Sequence, residues 1–232
     1  MGKHGLRRTL HAAMIVASAA VAAPASAELA ISQMIIELKP GSARTADVEI
    51  YNDSTERTYL SIEPAEIKQP GTPREERFTS PDPAQLSLLV SPTRMVLEPK
   101  QRRTLRIASL EQGSSRERIY RVLVKPVAGD VTGAESGLKL LVGYDLLVIA
   151  RPQTQSGRVS GSRSLDSLVL SNDGNTSVEL VDGKQCDAAG QDCRPLPPKR
   201  LYAGASWALP MKPTAKVEYQ VRRPSGWDRL RF

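Results

Sequence analysis

The sequence is short of the residues on which most catalytic sites depend. Its 232 residues include two histidines, His4 and His11, two cysteines, Cys186 and Cys193, and 4% aromatic residues. Ser-His-Asp and Cys-His systems need an imidazole base, and zinc sites usually need His or at least three Cys. A P-loop and a Gly-x-Gly-x-x-Gly motif are also missing from the sequence. We therefore predict a protein that is not an enzyme and that uses no metal and no cofactor, although hydrolysis by a pair of carboxylates stays formally open.

Long apolar runs are absent as well, and the short run near the start has the form of a secretory leader. Lys3, Arg7 and Arg8 precede an apolar stretch over residues 12–23, and Pro-Ala-Ser-Ala follows it. This combination is typical of a signal peptide, and the run is too short for a permanent membrane span. We predict export, cleavage after Ala27 and no membrane insertion.

Removing the leader changes what the charge of the chain implies. The whole sequence carries a net charge of +7, from 32 Lys and Arg against 25 Asp and Glu, which first suggests nucleic acid or a membrane surface as a partner. The leader, residues 1–27, holds three of the basic residues and both histidines, so the remaining 205 residues have a net charge of +4 and no histidine. A charge this modest on an exported chain disfavours nucleic acid as a partner.

The two cysteines are close in sequence, with six residues between Cys186 and Cys193. In an exported protein such a pair predicts a disulfide across a loop. Closing a loop of this length contributes on the order of 2 kcal/mol to stability in the chain-entropy description. A redox-active pair, the alternative, would favour Cys-x-x-Cys spacing.

Beyond the leader the dominant sequence period is two, which predicts strands rather than helices. In the clearest segment Val48 and Ile50 alternate with Asp47. Residues 29–38 alternate less cleanly and are still interpreted as one strand. Similar segments recur between turn residues along the chain, and no helix of useful length is indicated.

A joint at Arg151 and Pro152 divides these strands into two groups. About seven strands precede the joint and about five follow it, each group separated by Gly, Pro and Asn turn residues. We predict an all-β fold of two tandem immunoglobulin-like β-sandwich domains, residues 28–151 and residues 152–232.

One predicted strand, residues 138–150, is longer and more apolar than an ordinary strand. Its odd positions include Leu141, Leu147 and Ile149. Apolar residues on both faces usually mean burial on both faces, so a central strand of the sandwich is one explanation. The other is that the strand offers one face and its backbone to a partner sheet by strand addition. Every even position is apolar or aromatic: Leu138, Leu140, Val142, Tyr144, Leu146 and Val148.

Several segments, taken in order, resemble the periplasmic pilus (fimbrial) chaperones of the PapD-like family. They are residues 91–99 with residues 104–107, residues 117–122, the apolar run that ends at Arg151 and Pro152, and residues 170–176. The resemblance implies two immunoglobulin-like domains set at an angle. It also implies that the protein binds pilin subunits in the periplasm, lends them a donor strand and delivers them to an outer-membrane usher. The cysteine pair is similar to the alternative, common-pilus class of the family.

The resemblance also implies roles for particular residues. Pilin-binding donor residues would be Leu138, Leu140 and Val142, with Tyr144 and Leu146 extending the row. An interdomain salt bridge would join Glu117 and Arg151.

The basic residues with which better-known members hold the pilin carboxylate have no counterpart here, since Ile36 and Leu147 stand at those places. A carboxylate in a cleft still needs a charge-assisted partner, and Arg121 is our candidate anchor. A solvent-facing arginine or an internal ion pair explains Arg121 equally well.

Two other functions compete with the chaperone prediction. A pilus structural subunit or adhesin would be a single incomplete sandwich with a strand-donating extension, which two full domains disfavour. Another periplasmic immunoglobulin-like binding protein stays open. So does self-association of the free chain through its exposed donor strand.

Overall fold

The computed structural model describes residues 29–41, 44–111, 113–127, 141–223 and 225–232. The predicted leader and the predicted donor residues Leu138 and Leu140 lie outside the described residues. The structure therefore does not test the predictions made for them.

The first half of the chain forms two facing sheets. One has the order β1-β3-β8-β6, and the other has the order β2-β10-β9-β4-β5, with β7 also paired to β4. The elements are β1 (Leu29–Ile31), β2 (Ile35–Leu38), β3 (Thr45–Asn52), β4 (Thr58–Lys68), β5 (Glu76–Phe78), α1 (Pro83–Leu86), β6 (Leu88–Ser91), β7 (Arg94–Leu97), β8 (Arg102–Ser109), β9 (Arg118–Val127) and β10 (Tyr144–Ala150).

The second half forms two smaller sheets. Their orders are β11-β12-β16 and β14-β13-β17-β18, with β15 also paired to β13. The strands are β11 (Val159–Arg163), β12 (Ser167–Asn172), β13 (Val178–Cys186), β14 (Cys193–Leu196), β15 (Lys199–Leu201), β16 (Ser206–Pro210), β17 (Lys216–Arg223) and β18 (Gly226–Arg231).

Alternation along each strand builds a core between the sheets of each half. On β9, Tyr120, Val122 and Val124 are buried in the first core, while Arg121 and Lys125 point to the other face. The second core is separate and is built on β12, β13 and β17, with Tyr219 its largest side chain. The prediction of an all-β chain made of two β-sandwiches is confirmed, and the predicted boundary at residue 151 stays a prediction.

The single helix of the described residues is α1, and it is one turn long. Asp82 caps it by accepting a hydrogen bond from the Ala84 amide at 2.9 Å, and Pro83 occupies the first turn, where its missing N–H costs nothing. Neither α1 nor any other described segment is a helix long and apolar enough to cross a bilayer.

The prediction of one strand over residues 29–38 is wrong in one respect. The chain forms β1 in the first sheet, leaves it after Ile31, and forms β2 in the facing sheet from Ile35. Crossing between sheets reverses which side of the chain faces the core, because each sheet presents its opposite face to that core. This crossing explains why the alternation in this segment is imperfect.

Candidate functional site

The two edges of β10 are not equally covered. Along its whole length β10 pairs antiparallel with β9, from Tyr144 opposite Val124 to Ala150 opposite Arg118. On its other side it pairs in parallel with β2, and this pairing covers only residues 147–150. The Leu147 amide donates to the Met34 carbonyl at 2.9 Å, and within the described residues the β2 ladder goes no further toward the start of β10. The first part of β10 therefore has a free sheet edge.

Exposed apolar side chains lie at this edge. Val142, just before β10, is 61% exposed, and Met34 and Ile35 on the neighbouring segment are also exposed. Tyr144 is half-buried, and its hydroxyl donates to the Leu29 carbonyl at 2.6 Å, which ties the start of β10 to β1. We call Met34, Ile35, Val142 and Tyr144 the edge patch.

Leu146, predicted to extend the donor row, is placed differently by the structure. Its side chain is 0% exposed and belongs to the first core together with Val148. A side chain enclosed by its own core has no surface to offer to a partner. The even face of the segment therefore changes role between Val142 and Leu146, with Tyr144 at the boundary.

The odd face of β10 explains why the strand is apolar on both sides. Leu147 and Ile149 are buried in a third cluster with Ile67 and Ile119, and Tyr202 of the second sandwich packs against this cluster. We call these five residues the junction cluster. One face of β10 serves the first core and the other serves the contact between the sandwiches. Sequence reasoning missed Tyr202, because nothing local marks a residue more than 50 positions away as a neighbour.

Arg121 projects from β9 on the same outer face as the junction cluster. Its Nη1 donates to the Asp145 carbonyl at 3.3 Å, and its Nε lies 4.0 Å from the Asp145 carboxylate. Arg77 on β5 approaches the same carboxylate at 3.2 Å. Two guanidinium groups thus share one carboxylate, which leaves a local excess of positive charge.

Ile36 and Leu147, the positions where better-known family members were expected to carry their anchor, are both buried and apolar. Ile36 lies in the first core and Leu147 in the junction cluster. Neither has a charge with which to bind a carboxylate.

Glu117 and Arg151 form an ion pair at the junction between the sandwiches. Arg151 Nη1 lies 3.0 Å from Glu117 Oε2, and the two side chains are 2% and 5% exposed, respectively, for Glu117 and Arg151. Thr176, at the start of the second sandwich, accepts from Arg151 at 2.7 Å and donates to Glu117 at 3.1 Å. Because buried charges need this kind of pairing and hydrogen bonding, the network joins both halves of the chain.

Glu37 on β2 is a further member of this network. Its carboxylate contacts Arg151 Nη2 at 2.6 Å. Burial raises the pKa of Glu37, but the hydrogen bond and charge of Arg151 outweigh it, so the pKa lies below its usual value of 4.5.

The cysteine pair forms the predicted disulfide. Cys186 at the end of β13 is bonded to Cys193 at the start of β14, with a Cα–Cα distance of 3.9 Å. The two residues face each other in an antiparallel pair, so the bond closes the hairpin. In the part of the chain that the structure describes, no group of three or more His, Cys, Asp and Glu is placed to hold a metal ion.

Comparison with known proteins identifies relatives of this architecture. Over residues 28–156 the sequence matches the pili and flagellar-assembly chaperones, at the PapD N-terminal domain. A CS1 fimbrial protein of Escherichia coli, named as one of the CS1 fimbrial subunits, is 25% identical over 194 residues, which cover 79% of this chain and 80% of that protein.

Solved structures show the same fold over nearly the whole chain. The class 5 fimbriae chaperone CfaA is 22% identical with a TM-score of 0.69, covering 88% of this chain and 98% of that chain. A chain in the structure of the Salmonella enterica SafA pilin in complex with the SafB chaperone is 17% identical with a TM-score of 0.62, covering 90% and 98%. The prediction of immunoglobulin-like sandwiches is confirmed by these matches. With its sequence match extending over more than half of its length, the chain belongs to the pili and flagellar-assembly chaperones, a family of chaperones and not of enzymes.

Proposed function

We propose that this chain is a periplasmic chaperone that binds pilin subunits by donor-strand complementation and delivers them to an outer-membrane usher. The observation that carries the proposal is the free edge at the start of β10, beside the exposed Val142. A free strand edge supplies backbone N–H and C=O groups to a partner sheet, and alternating side chains supply specificity. A pilin that lacks one strand is a partner of this kind.

The proposed donor row runs along the segment that precedes and begins β10. Val142 is its exposed described member, and Tyr144 marks its inner end. Leu138 and Leu140, four and two residues before Val142, continue the same alternation in the sequence. Leu146 is not part of the proposed row, because its side chain belongs to the first core.

Arg121 is the proposed anchor for the pilin carboxylate. It lies on the outer face of β9, beside β10, and its neighbour Asp145 already has a second partner in Arg77. Arg121 can therefore turn toward an incoming carboxylate without leaving Asp145 unpaired. A charge-assisted bond of this type is about twice as strong as a neutral one.

The ion pair of Glu117 and Arg151 is proposed to hold the two sandwiches in a fixed relative position. A fixed position matters because a pilin on the edge of β10 would also approach the second sandwich. The remaining parts of the proposal are export with cleavage after Ala27 and membership of the alternative class, which the disulfide supports. Self-association of the free chain through its donor strand stays a prediction.

The donor row is tested by polar substitution of exposed positions. Val142→Asn, alone and with Leu140→Asn, should leave the melting temperature unchanged but lower the amount of a pilin produced together with the chain in the periplasm. Loss of an apolar anchor costs about 1 to 2 kcal/mol of binding, so we expect a roughly tenfold fall in protected pilin. Immunoblots of periplasmic extracts measure this amount.

A matched control for these variants is Leu165→Asn. Leu165 is 81% exposed and lies between β11 and β12 of the second sandwich, away from the edge patch. It should protect the pilin as well as the wild-type chain does. Pilin levels that stay unchanged in the Val142 and Leu140 variants would contradict the donor-strand assignment.

A further inference from the structure

The outer face of one sheet of the second sandwich carries a concentration of positive charge. Across β13, β17 and β18 the register places Lys184, Glu218 and Arg231 side by side in one row. The next row along β17 brings Gln220 beside Arg229. A further row runs from β18 to β15: Trp227, Arg222, Glu179 and Arg200.

Positive side chains outnumber carboxylates on this face. Glu218 is approached by three cations, Arg231 at 2.8 Å, Lys184 at 3.4 Å and Arg229 at 3.7 Å. Glu179 is bound by two, Arg200 and Arg222. Two carboxylates cannot neutralise five cations, and Lys216 on β17 adds a sixth. Asp182, at the bulge of β13, is the third carboxylate.

We call the exposed members of this set the basic face: Lys184, Lys216, Arg222, Trp227, Arg229 and Arg231. Trp227 is 62% exposed at its edge. Tryptophan and arginine are the residues most enriched at the centres of protein interfaces. An exposed tryptophan beside three arginines is therefore suited to binding another protein rather than only to solubility.

The basic face continues into the junction between the sandwiches. Arg200, at its inner end, is largely buried, and it follows Lys199 on β15 just before the segment that carries Tyr202 of the junction cluster. Glu37 of the first sandwich, held mainly by burial and by Arg151, also feels the charges of Arg200 and Arg222. The basic face and the outer face of the β10 sheet therefore meet at one place, and a partner on the edge patch lies next to both.

We propose that the basic face is a second docking surface for the same pilin subunit, binding an acidic, carboxylate-rich part of its surface. This inference rests on the proposed function, because it assumes that the pilin occupies the edge of β10. Complementary charge around an interface mainly raises the association rate and selects the orientation of the partner. The basic face thus guides the pilin toward the free strand edge.

An anionic membrane surface is the competing partner for a basic face. The geometry favours a protein, because the charged rows run inward to Arg200 at the junction, which a flat bilayer does not reach. The cations are also mainly arginines already oriented by carboxylates, and a guanidinium group matches the planar, two-oxygen geometry of a carboxylate.

The test compares two matched double variants. Arg229→Gln with Arg231→Gln removes two exposed cations that pair with Glu218. Arg102→Gln with Arg106→Gln is the control, since these arginines are exposed to a similar degree and pair with Glu49 and Asp47 on the outer face of the first sandwich's other sheet. Both pairs change the net charge equally, so only their positions differ.

The probe is the pilin that the wild-type chain protects in the periplasm, denatured and diluted into chaperone while complex formation is followed in time. At low salt we expect the association rate of the Arg229 and Arg231 variant to fall about three- to tenfold, and the rate of the control to stay near wild type. The difference should vanish near 0.5 M salt, roughly, where charges are screened within a few ångströms.

Three outcomes overturn the inference. Equal rates for both double variants, or a wild-type rate that does not depend on salt, mean that the basic face does not guide the pilin. Binding to vesicles of phosphatidylethanolamine and phosphatidylglycerol that is lost in the Arg229 and Arg231 variant, with an unchanged pilin rate, assigns the face to a membrane. If the wild-type chain forms no complex with pilin at all, the proposed function itself fails, and this result is distinct from the others.

Discussion

Arg121 and Asp145 show how a single position can have a structural and a binding role. Arg121 contacts the Asp145 carbonyl, but its charge lies at the outer limit of an ion pair, 4.0 Å from the carboxylate. Arg77 reaches the same carboxylate more closely, at 3.2 Å. An ion pair as exposed and as long as that of Arg121 contributes little to stability. Its guanidinium group is thus available to a ligand.

Replacing Arg121 by alanine should therefore separate binding from folding. We expect Arg121→Ala to weaken pilin capture by about 1.5 to 3 kcal/mol, the contribution of a hydrogen bond to a charged group, and to change the free energy of unfolding by less than about 0.5 kcal/mol. Capture assays and urea unfolding of the same preparations measure the two quantities. Arg77→Ala is the control and should not affect capture. A loss of stability that parallels the loss of capture would favour the internal ion pair.

At the scale of the element, β10 has three different environments along and across it. Its even face enters the first core at Leu146, its odd face enters the junction cluster at Leu147, and its edge is free before residue 147. The same apolar composition therefore serves folding at one end and is exposed at the other. The change occurs within five residues, from Val142 to Leu146.

This gradient predicts opposite outcomes for two similar substitutions. Leu147→Ala should lower the free energy of unfolding by about 2 to 4 kcal/mol, since it empties a buried site in the junction cluster. Val142→Ala should change the free energy of unfolding by less than about 0.5 kcal/mol, since the side chain is exposed. Urea denaturation of both variants gives the comparison. Equal effects would mean that the start and the middle of the segment are buried alike.

At the scale of the whole molecule, a polar network and an apolar cluster together join the sandwiches. Arg151 contacts Glu37 and Glu117 of the first sandwich and Thr176 of the second, and Tyr202 packs on the junction cluster nearby. The polar part gives the joint a dependence on pH, because Glu37 binds Arg151 only in its ionised form.

The pH dependence has a definite sign. The pKa of Glu37 is lowered below 4.5 in the folded chain, so its contribution is present above that value and is lost as the pH falls through the folded pKa. Glu37→Gln should destabilise the chain by about 1 kcal/mol at neutral pH, and the difference from wild type should shrink in acid. Urea unfolding from neutral pH to about pH 3 measures this.

Glu63→Gln is the control for this prediction, since Glu63 pairs with Lys125 on the surface, away from the joint. It should have an effect below about 0.5 kcal/mol. A difference between Glu37→Gln and wild type that stays constant down to acid pH would contradict the assigned ion pair.

Much of the fold was predictable, because its signals are local. Alternation predicted the strands around Val48 and Leu170, spacing in an exported chain predicted the disulfide, and an apolar excess drew attention to the segment before Ala150. Each signal depends on residues within about ten positions of one another, where backbone geometry alone fixes which side chains share a face.

The environment of each face was decided only by tertiary structure. Alternation identifies the two faces of residues 144–150, but it does not say that one meets Tyr202 and the other the first core, nor that Leu146 is enclosed while Val142 is exposed. The crossing of the chain from β1 to β2 and the assembly of the basic face from three strands were equally invisible. The sequence by itself determined the leader, the strand-rich class and the cysteine pair, whereas the free edge and the joint depend on register and packing between distant segments, which no local period records.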